Sequence, residues 1–326
     1  MLLAGDIGGT KTNLALFAKL NDLHEPALEA TFPSAQYPSL EALIQEFLAN
    51  VKTPVDRAVF GVAGPVLQGK AKITNLPWVM DEAELQKALQ IPVVHLLNDL
   101  AAIAHAIPLL DPGDLQTLNH GKAVSGETLA VIAPGTGLGQ AFLTWDGSSY
   151  RTHPSEGGHA DFAPTNPAEM ELLRYMLKRF EHVSYEQVCS GIGLPNIYAC
   201  LKDSALFDEP AWLREQLARA KDETPIIVNA ALSKDAPPIC INTLNIFSSI
   251  LGAEAGNLVL KTLATGGVYI AGGIPPRILS FLQQERFITA FKNKGRFAKM
   301  LADVPIHVVL NPKIALMGAA AHGFRL

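Results

Sequence analysis

Two stretches of this chain share one pattern, and that pattern most narrows the folds open to it. Leu2-Leu3-Ala4-Gly5-Asp6-Ile7 runs into Gly8-Gly9-Thr10, and Leu14-Ala15-Leu16-Phe17 follows. Later, Leu129-Ala130-Val131-Ile132-Ala133 runs into Gly135-Thr136-Gly137-Leu138-Gly139, and Gln140-Ala141-Phe142-Leu143 follows. Each reads as strand, glycine turn, strand, which is the signal of a hairpin. Gly8 and Gly135 stand about one domain length apart. The pair predicts a duplicated fold with a cleft between the copies; two unrelated hairpins in an α/β protein is the plainer reading. The length, 326 residues, suits two or three domains or two lobes around a cleft.

Between the hairpins, strand and helix signals alternate. Residues 39–49 carry apolar side chains at helical spacing behind Ser39, a candidate N-cap. Residues 57–62 read as a short buried strand closed by Gly64-Pro65. Residues 81–89 read as a helix with Asp81 as cap and Glu84 three residues on. A strand at 91–97 and a helix at 100–107 come next. Such alternation predicts parallel sheets covered by helices. Past the second hairpin helices dominate, at 167–180, 185–188, 209–220 and 239–264, before strands at 267–271 and 306–310 and a helix at 314–324. The softest stretch, 110–128, is rich in Gly, Asp and Asn and is taken as the lobe boundary. A small α/β lobe then spans 1–110, completed by about 301–326, and a large α/β lobe spans 111–300.

Composition excludes several classes. Hydrophobic residues make up 48% of the chain, enough for a sizeable core, so wholesale disorder is excluded. The net charge of −5 provides no basic excess to draw the chain to nucleic acid or an anionic membrane. Cys189, Cys200 and Cys240 show no CxxC spacing, against a disulfide framework or a structural zinc site and in favour of a reducing compartment. No basic n-region opens the sequence, and the longest apolar stretch, 96–110, is broken by Asn98, Asp99, His105 and Pro108. A soluble cytoplasmic protein is expected.

Five motifs can carry chemistry. In Asp6-Ile7-Gly8-Gly9-Thr10, adjacent glycines let backbone N–H groups converge on an anion, and Asp6 can hold Mg²⁺ through water. A second glycine turn at 135–137 suits a nucleotide triphosphate that needs a cradle from each side, although neither turn is a Walker loop. Asn98-Asp99 stands where a strand meets a helix, at the end of a parallel strand where ligands bind. Asp99 there suits a general base, and either residue suits a helix N-cap. Glu156-Gly157-Gly158-His159-Ala160-Asp161 crowds two acids and a histidine, which suits vicinal hydroxyls; a cation site on Glu156, His159 and Asp161 is the rival. Asn75-Leu76-Pro77-Trp78 sets a rigid aromatic plate that fits a sugar face or a core. The run at 271–277, Ala-Gly-Gly-Ile-Pro-Pro-Arg, can admit an adenine against bare backbone or simply turn.

Taken together, the chain resembles the bacterial glucokinase family, within the superfamily shared by hexokinases, actin and sugar kinases. The matching pieces are GDIGGTKTNLAL (5–16), TNLPW (74–78), NDLAAIAHAIPLL (98–110), APGTGLGQA (133–141), SEGGHADFAP (155–164), HVSYEQVCSGIGL (182–194), AGGIPPR (271–277) and KGRF (294–297), in family order. The resemblance implies a two-lobed ribonuclease-H-like fold of the actin and hexokinase type with an interlobe cleft. It implies transfer of the ATP γ-phosphoryl to glucose, with Mg²⁺, giving glucose 6-phosphate. Asp99 is implied as catalytic base, and Asn98, Asp99, Glu156, His159 and Glu186 as glucose ligands. Gly5, Asp6, Ile7, Gly8, Gly9 and Thr10 are implied on the ATP, with Thr136 and Gly137 on the second phosphate side. A homodimer is implied as well.

Glu186 enters only through the resemblance, since Ser184-Tyr185-Glu186 looks like an ordinary helix start. Lys11 stands where many close members have Asn. GGTK is also typical of the ROK sugar kinases and repressors, but no cysteine lies between His159 and Cys189 where those proteins carry a zinc motif, so the non-ROK branch is favoured. The rival functions are a kinase for mannose, fructose or an N-acetylhexosamine, a sugar-responsive regulator on the same scaffold, and an actin-like ATPase without a sugar site. The regulator needs a helix-turn-helix and a basic surface, for which the glycine turn after Gly5 and the acidic balance make no provision.

Overall fold

The computed structural model describes residues 1–73 and 76–326. The expectation placed on Asn75 lies outside the described residues. The chain divides into two compact units, Met1–Asp111 with Asn311–Leu326, and Pro112–Leu310.

In the first unit, β1 (Leu2–Ile7) and β2 (Lys11–Phe17) form the first hairpin and β3 (Leu28–Pro33) extends it. After α1 (Leu40–Leu48), β4 (Arg57–Val62) pairs parallel to β1. A small antiparallel sheet of β5 (Val66–Leu67), β6 (Lys70–Lys72) and β7 (Val79–Asp81) precedes α2 (Glu82–Leu89). Then β8 (Val93–Asn98) pairs parallel to β4 and leads into α3 (Asp99–Ala106). The main sheet has the order β3-β2-β1-β4-β8. β1 and β4 are buried along nearly their whole length, as apolar runs covered on both faces must be. Ser39 caps α1 by accepting from Ala42 N, and Asp81 caps α2. Of the two readings of Trp78, the core wins: it is 2% exposed and its Nε1 donates to the Tyr37 carbonyl at 3.1 Å.

The second unit opens with β9 (Leu115–Asn119), then β10 (Leu129–Pro134) and β11 (Leu138–Trp145) as the second hairpin, and β12 (Tyr150–Ser155). Helices α4 (Pro167–Met176), α5 (Gly193–Asp203), α6 (Ala211–Arg219), α7 (Thr224–Ala231) and α8 (Pro238–Thr262) follow. The chain closes the unit with β13 (Gly267–Ile270), α9 (Leu279–Leu282), α10 (Glu285–Lys292), α11 (Ala298–Ala302) and β14 (Ile306–Val309). The sheet order is β12-β11-β10-β13-β14-β9. The run β12-β11-β10-β13-β14 repeats β3-β2-β1-β4-β8 in order and in sense, antiparallel on one side of the hairpin strand and parallel on the other. The two glycine hairpins are therefore equivalent parts of a duplicated α/β fold.

Two local elements differ from the sequence reading: one strand was not foreseen, and one expected helix does not form. The soft stretch 110–128 carries β9, an edge strand antiparallel to β14 whose residues are all half-buried, so it lacks the apolar alternation that marks a strand. Residues 185–188 are not helical. The N–H groups of Tyr185 and Glu186 donate to the carbonyls of Ala160 and Gly158, at 3.0 and 2.8 Å. Val188 N closes a single tight turn on the Tyr185 carbonyl, and the Ser190 hydroxyl and Asn196 amide take the carbonyls of Glu186 and Gln187 that a helix would use next.

After β14 the chain returns to the first unit as α12 (Ile314–Gly323), which packs on α3. The contact is made by small side chains. A methyl group at Gly318 would overlap the Ala102 carbonyl oxygen, so only glycine permits this approach. Arg57 Nη1 donates to the Gly323 carbonyl at 3.1 Å and ties the helix end to β4.

His322 of α12 meets His105 of α3 and His95 of β8, with ring centroids 4.5 and 5.0 Å away. Burial holds His105 down to about 3 and His322 down to about 4, helped by the neighbouring histidines and Arg325. Both stay neutral when folded, while the unfolded chain takes up protons near 6.5. Their stabilisation is therefore complete above that pH and is lost as pH falls toward the folded values. Each histidine should contribute about 2 kcal/mol less at pH 5 than at pH 8. Urea unfolding at the two pH values is the measurement. His322→Gln should reduce the pH-dependent loss by about that amount; an unchanged loss would reject the assignment.

Candidate active site

β8 ends at Asn98, and Asn98 rather than Asp99 is the N-cap of α3. Its Oδ1 accepts from Leu100 N at 3.0 Å and Ala101 N at 3.4 Å, while its Nδ2 donates to the Gly64 carbonyl at 3.0 Å. That leaves one amide hydrogen of Asn98 for a ligand. Asp99, released from capping, sits in the first turn with Oδ1 accepting from Leu100 N at 2.8 Å. Burial pushes its carboxyl up to about 6, the Leu100 N–H opposes, and the charge of Asp6 adds to the rise. At pH 7 such a group is ionised in most molecules yet still basic enough to take a hydroxyl proton.

Asp6 lies at the end of β1. Its carboxyl is also raised by burial, against the hydrogen bond from Asn13 Nδ2 at 3.3 Å and the charge of Lys11. Gly5 and Ile7 lie inside the strand. A methyl group at Gly5 would strike Phe60, Ile7 and Leu14, so this glycine serves packing. In the turn, Gly8 N donates to Lys11 O at 3.1 Å, and Ser34 clamps it, Oγ donating to Gly8 O at 2.7 Å and N to Thr10 O at 3.1 Å. Gly9 is half-buried in that turn and Thr10 is exposed.

In the second unit the turn Gly135-Thr136-Gly137 is closed by Gly135 N donating to Gly137 O at 2.9 Å, with Thr136 exposed. Gly191 N and Ile192 N donate to the carbonyls of Gly135 and Thr136 and hold it from outside. Against Gly137 lies Glu186: its Oε2 accepts from Leu138 N at 2.9 Å and occupies the space a Cβ at Gly137 would need. His159 Nδ1 stands 4.0 Å from Glu186 Oε1, and His159 Nε2 stands 3.9 Å from Glu156 Oε2. Glu156, His159 and Glu186 thus form one acidic cluster around an imidazole. Its members range from 88% exposed at Glu156 to 24% at Glu186. Asp161, which the cation reading set beside Glu156 and His159, instead accepts from His182 Nε2 at 2.8 Å. Among the described residues, Glu156, His159 and Asp161 do not gather their ligand atoms.

The residue pattern alone passed over two buried polar residues below this cluster, Gln140 and Glu254, joined by Gln140 Nε2 donating to Glu254 Oε1 at 2.9 Å. A signal existed: Glu254 is the one acid in the apolar run of α8.

Comparison with known proteins settles the family. The family model described as Glucokinase matches residues 3–325. The chain belongs to the glucokinase family. It is 42% identical to the glucokinase of Nostoc punctiforme over 341 residues, covering 100% of this chain and 99% of that one. It is 37% identical to the glucokinase of Synechocystis over 343 residues, covering 98% and 96%. Among solved structures, a glucokinase from an Antarctic psychrotroph superposes with a TM-score of 0.84 at 33% identity, covering 100% of this chain and 99% of that one. A glucokinase from Balamuthia mandrillaris, solved with glucose, shares the fold at a TM-score of 0.81 and 23% identity, covering 100% and 93%. This member of the glucokinase family is an enzyme that phosphorylates glucose at the expense of ATP. Among the described residues, no helix is long and apolar enough to cross a membrane.

Proposed function

We propose that Asp99 is the base of this kinase, taking the proton of the glucose 6-hydroxyl as it attacks the γ-phosphorus of ATP. The observation that carries this is the Asp99 carboxyl itself: freed from capping by Asn98, shielded, and raised to about 6. The remaining amide hydrogen of Asn98 donates to a neighbouring hydroxyl. Glu156 and Glu186 accept from ring hydroxyls, and His159, held between the two acids, donates one bond more. Glu186 also fixes the turn beside it, so one carboxylate serves both sugar and phosphate sides. The N–H groups of Gly9 and Thr10, and the Thr136-Gly137 turn, hold phosphate oxygens. Phosphoryl transfer asks mainly for positioning and charge neutralisation, which these groups supply.

The family works with ATP and a divalent metal, and we assign Mg²⁺. Two shielded carboxylates that feel each other's charge, Asp6 and Asp99, suit a hard cation that prefers oxygen ligands and keeps its waters, with Asp6 as its water-mediated partner. Bound with ATP, the ion would neutralise charge on the transferring phosphoryl group. A homodimer in the cytoplasm completes the reading, supported by the family resemblance and the absence of a membrane-crossing helix among the described residues.

The test is Glu156→Ala. Each hydroxyl left without its acceptor should cost about 1–3 kcal/mol, so glucose affinity, followed by calorimetry, should fall about tenfold or more while the protein stays folded. Full affinity in this variant would reject the sugar role of the loop. An ADP-release assay over a panel of hexoses, with mannose, fructose and N-acetylglucosamine beside glucose, tests the selectivity.

A further inference from the structure

Glu254 is completely buried in the middle of α8, and its carboxylate is the meeting point of two arms. One arm is Gln140 on β11, whose Nε2 donates to Glu254 Oε1 at 2.9 Å. The far side of that carboxamide lies directly beneath Gly157, where no Cβ would fit. The other arm is Tyr185. Its hydroxyl accepts from Asn257 Nδ2 at 3.0 Å, and the same Nδ2 donates to Glu254 Oε2 at 2.9 Å, so Asn257 joins the ring to the carboxylate. Lys261 Nζ, 3.7 Å from Oε1, and the half-buried Lys294 balance the charge.

Each arm reaches one strip of the sugar cluster. Gln140 supports the turn that carries Glu156 and His159, and Gly158 of that turn is pressed onto the Leu138 carbonyl. Tyr185 is the residue before Glu186. The two strips are zipped together by Phe162 N to Val183 O, Tyr185 N to Ala160 O and Glu186 N to Gly158 O, at 2.8–3.0 Å. The Tyr185 ring also meets Phe162 edge-on, with centroids 5.7 Å apart. A fully buried carboxylate is retained only where its bonds are made, and here its two hydrogen bonds lead through Gln140 and Asn257 to the two strips, with Lys261 meeting it from the surface side.

We infer that Glu254 is a positioning residue for glucose, one buried carboxylate that sets the spacing of Glu156, His159 and Glu186 through Gln140 and Tyr185. The inference rests on the sugar role of that cluster. Glu254 touches no substrate; it determines whether the acceptors above it match a hexose.

The experiment compares Tyr185→Phe, Gln140→Leu and Glu254→Gln with wild type by steady-state kinetics, with Glu156→Ala as the direct-contact control. A positioning role raises the KM for glucose at least fivefold in Tyr185→Phe and in Gln140→Leu, with the KM for ATP within twofold of wild type. Combined in one chain, the two substitutions should act less than additively, because both release the same anchor. A merely structural role would move the melting temperature and leave the ratio of the two KM values alone. Glucose KM within twofold of wild type in both Tyr185→Phe and Gln140→Leu overturns the inference, whether or not Glu254→Gln folds. If Glu156→Ala raises glucose KM while those two do not, only the anchor is rejected. If none of the three moves it, the sugar reading of the cluster falls and the anchor with it.

Discussion

Asp99→Asn should lower kcat by about 10²–10⁴-fold at saturating glucose and MgATP, the usual worth of general-base catalysis. The same substitution should raise the stability of the free protein. An ionised carboxyl whose folded pKa is about 6 against an ordinary 3.8 costs roughly 3 kcal/mol at neutral pH. The sign follows from linkage: the folded state binds the proton more tightly, so the cost is absent below the unfolded value and complete above the folded one. Asparagine removes that cost, also relieves Asp6 of a like charge, and keeps the bond from Leu100 N. Asn98 is untouched, so the cap of α3 survives. Turnover is measured by coupled ADP release and stability by urea unfolding at pH 8. A variant that is more stable and nearly inactive fits a base held in a strained electrostatic setting. Turnover within a few fold of wild type would remove Asp99 from the chemistry. In the wild type, kcat/KM should fall about tenfold per pH unit below the pKa of this group, and Asp99→Asn should flatten that limb.

Gly318→Ala is the second large effect, and it runs against helix propensity. Alanine in a helix is favoured over glycine by about 1 kcal/mol. At Gly318, however, the added methyl group meets the Ala102 carbonyl oxygen, a backbone atom that no rotamer change can move. The helices must separate, and overpacking of this kind costs about 1–3 kcal/mol or more. A net loss of about 2–3 kcal/mol is expected, with kcat down about tenfold as the start of α3 carries Asp99 out of place. Gly113→Ala, where a methyl group meets nothing within 4 Å, is the control and should be neutral. A melting temperature equal to or above wild type in Gly318→Ala would show that the contact can give.

The glycine hairpins were legible because turn chemistry and apolar runs are local, and they correctly announced the duplication. β9 was not, because an edge strand half-buried along its length needs no alternating pattern. Asn98 and Asp99 both suit a cap by residue type, and only the bonds to Leu100 and Ala101 divide the work between them. Glu186 hid in a helix-start pattern because its backbone N–H is claimed by Gly158, a partner far away in sequence. Glu254 stood out as a lone acid in an apolar helix, but the bonds that lead from it to β11, and through Asn257 to the residue beside Glu186, are a product of topology.

The helix that begins at Asp99 is made early by the ribosome, whereas α12, which packs against it through Gly318, emerges only after the whole second unit. At about 5–20 residues per second, the wait is on the order of tens of seconds. During it, Ala102 and Ala106 present a bare strip, and Arg57 lacks the Gly323 carbonyl that fastens the sheet. The nascent chain therefore carries Asp99 on an unsecured helix until synthesis has passed through the residues of the second unit. A fragment released before α12 lacks the helix that packs on α3, and with it the support of the turn that carries Asp99.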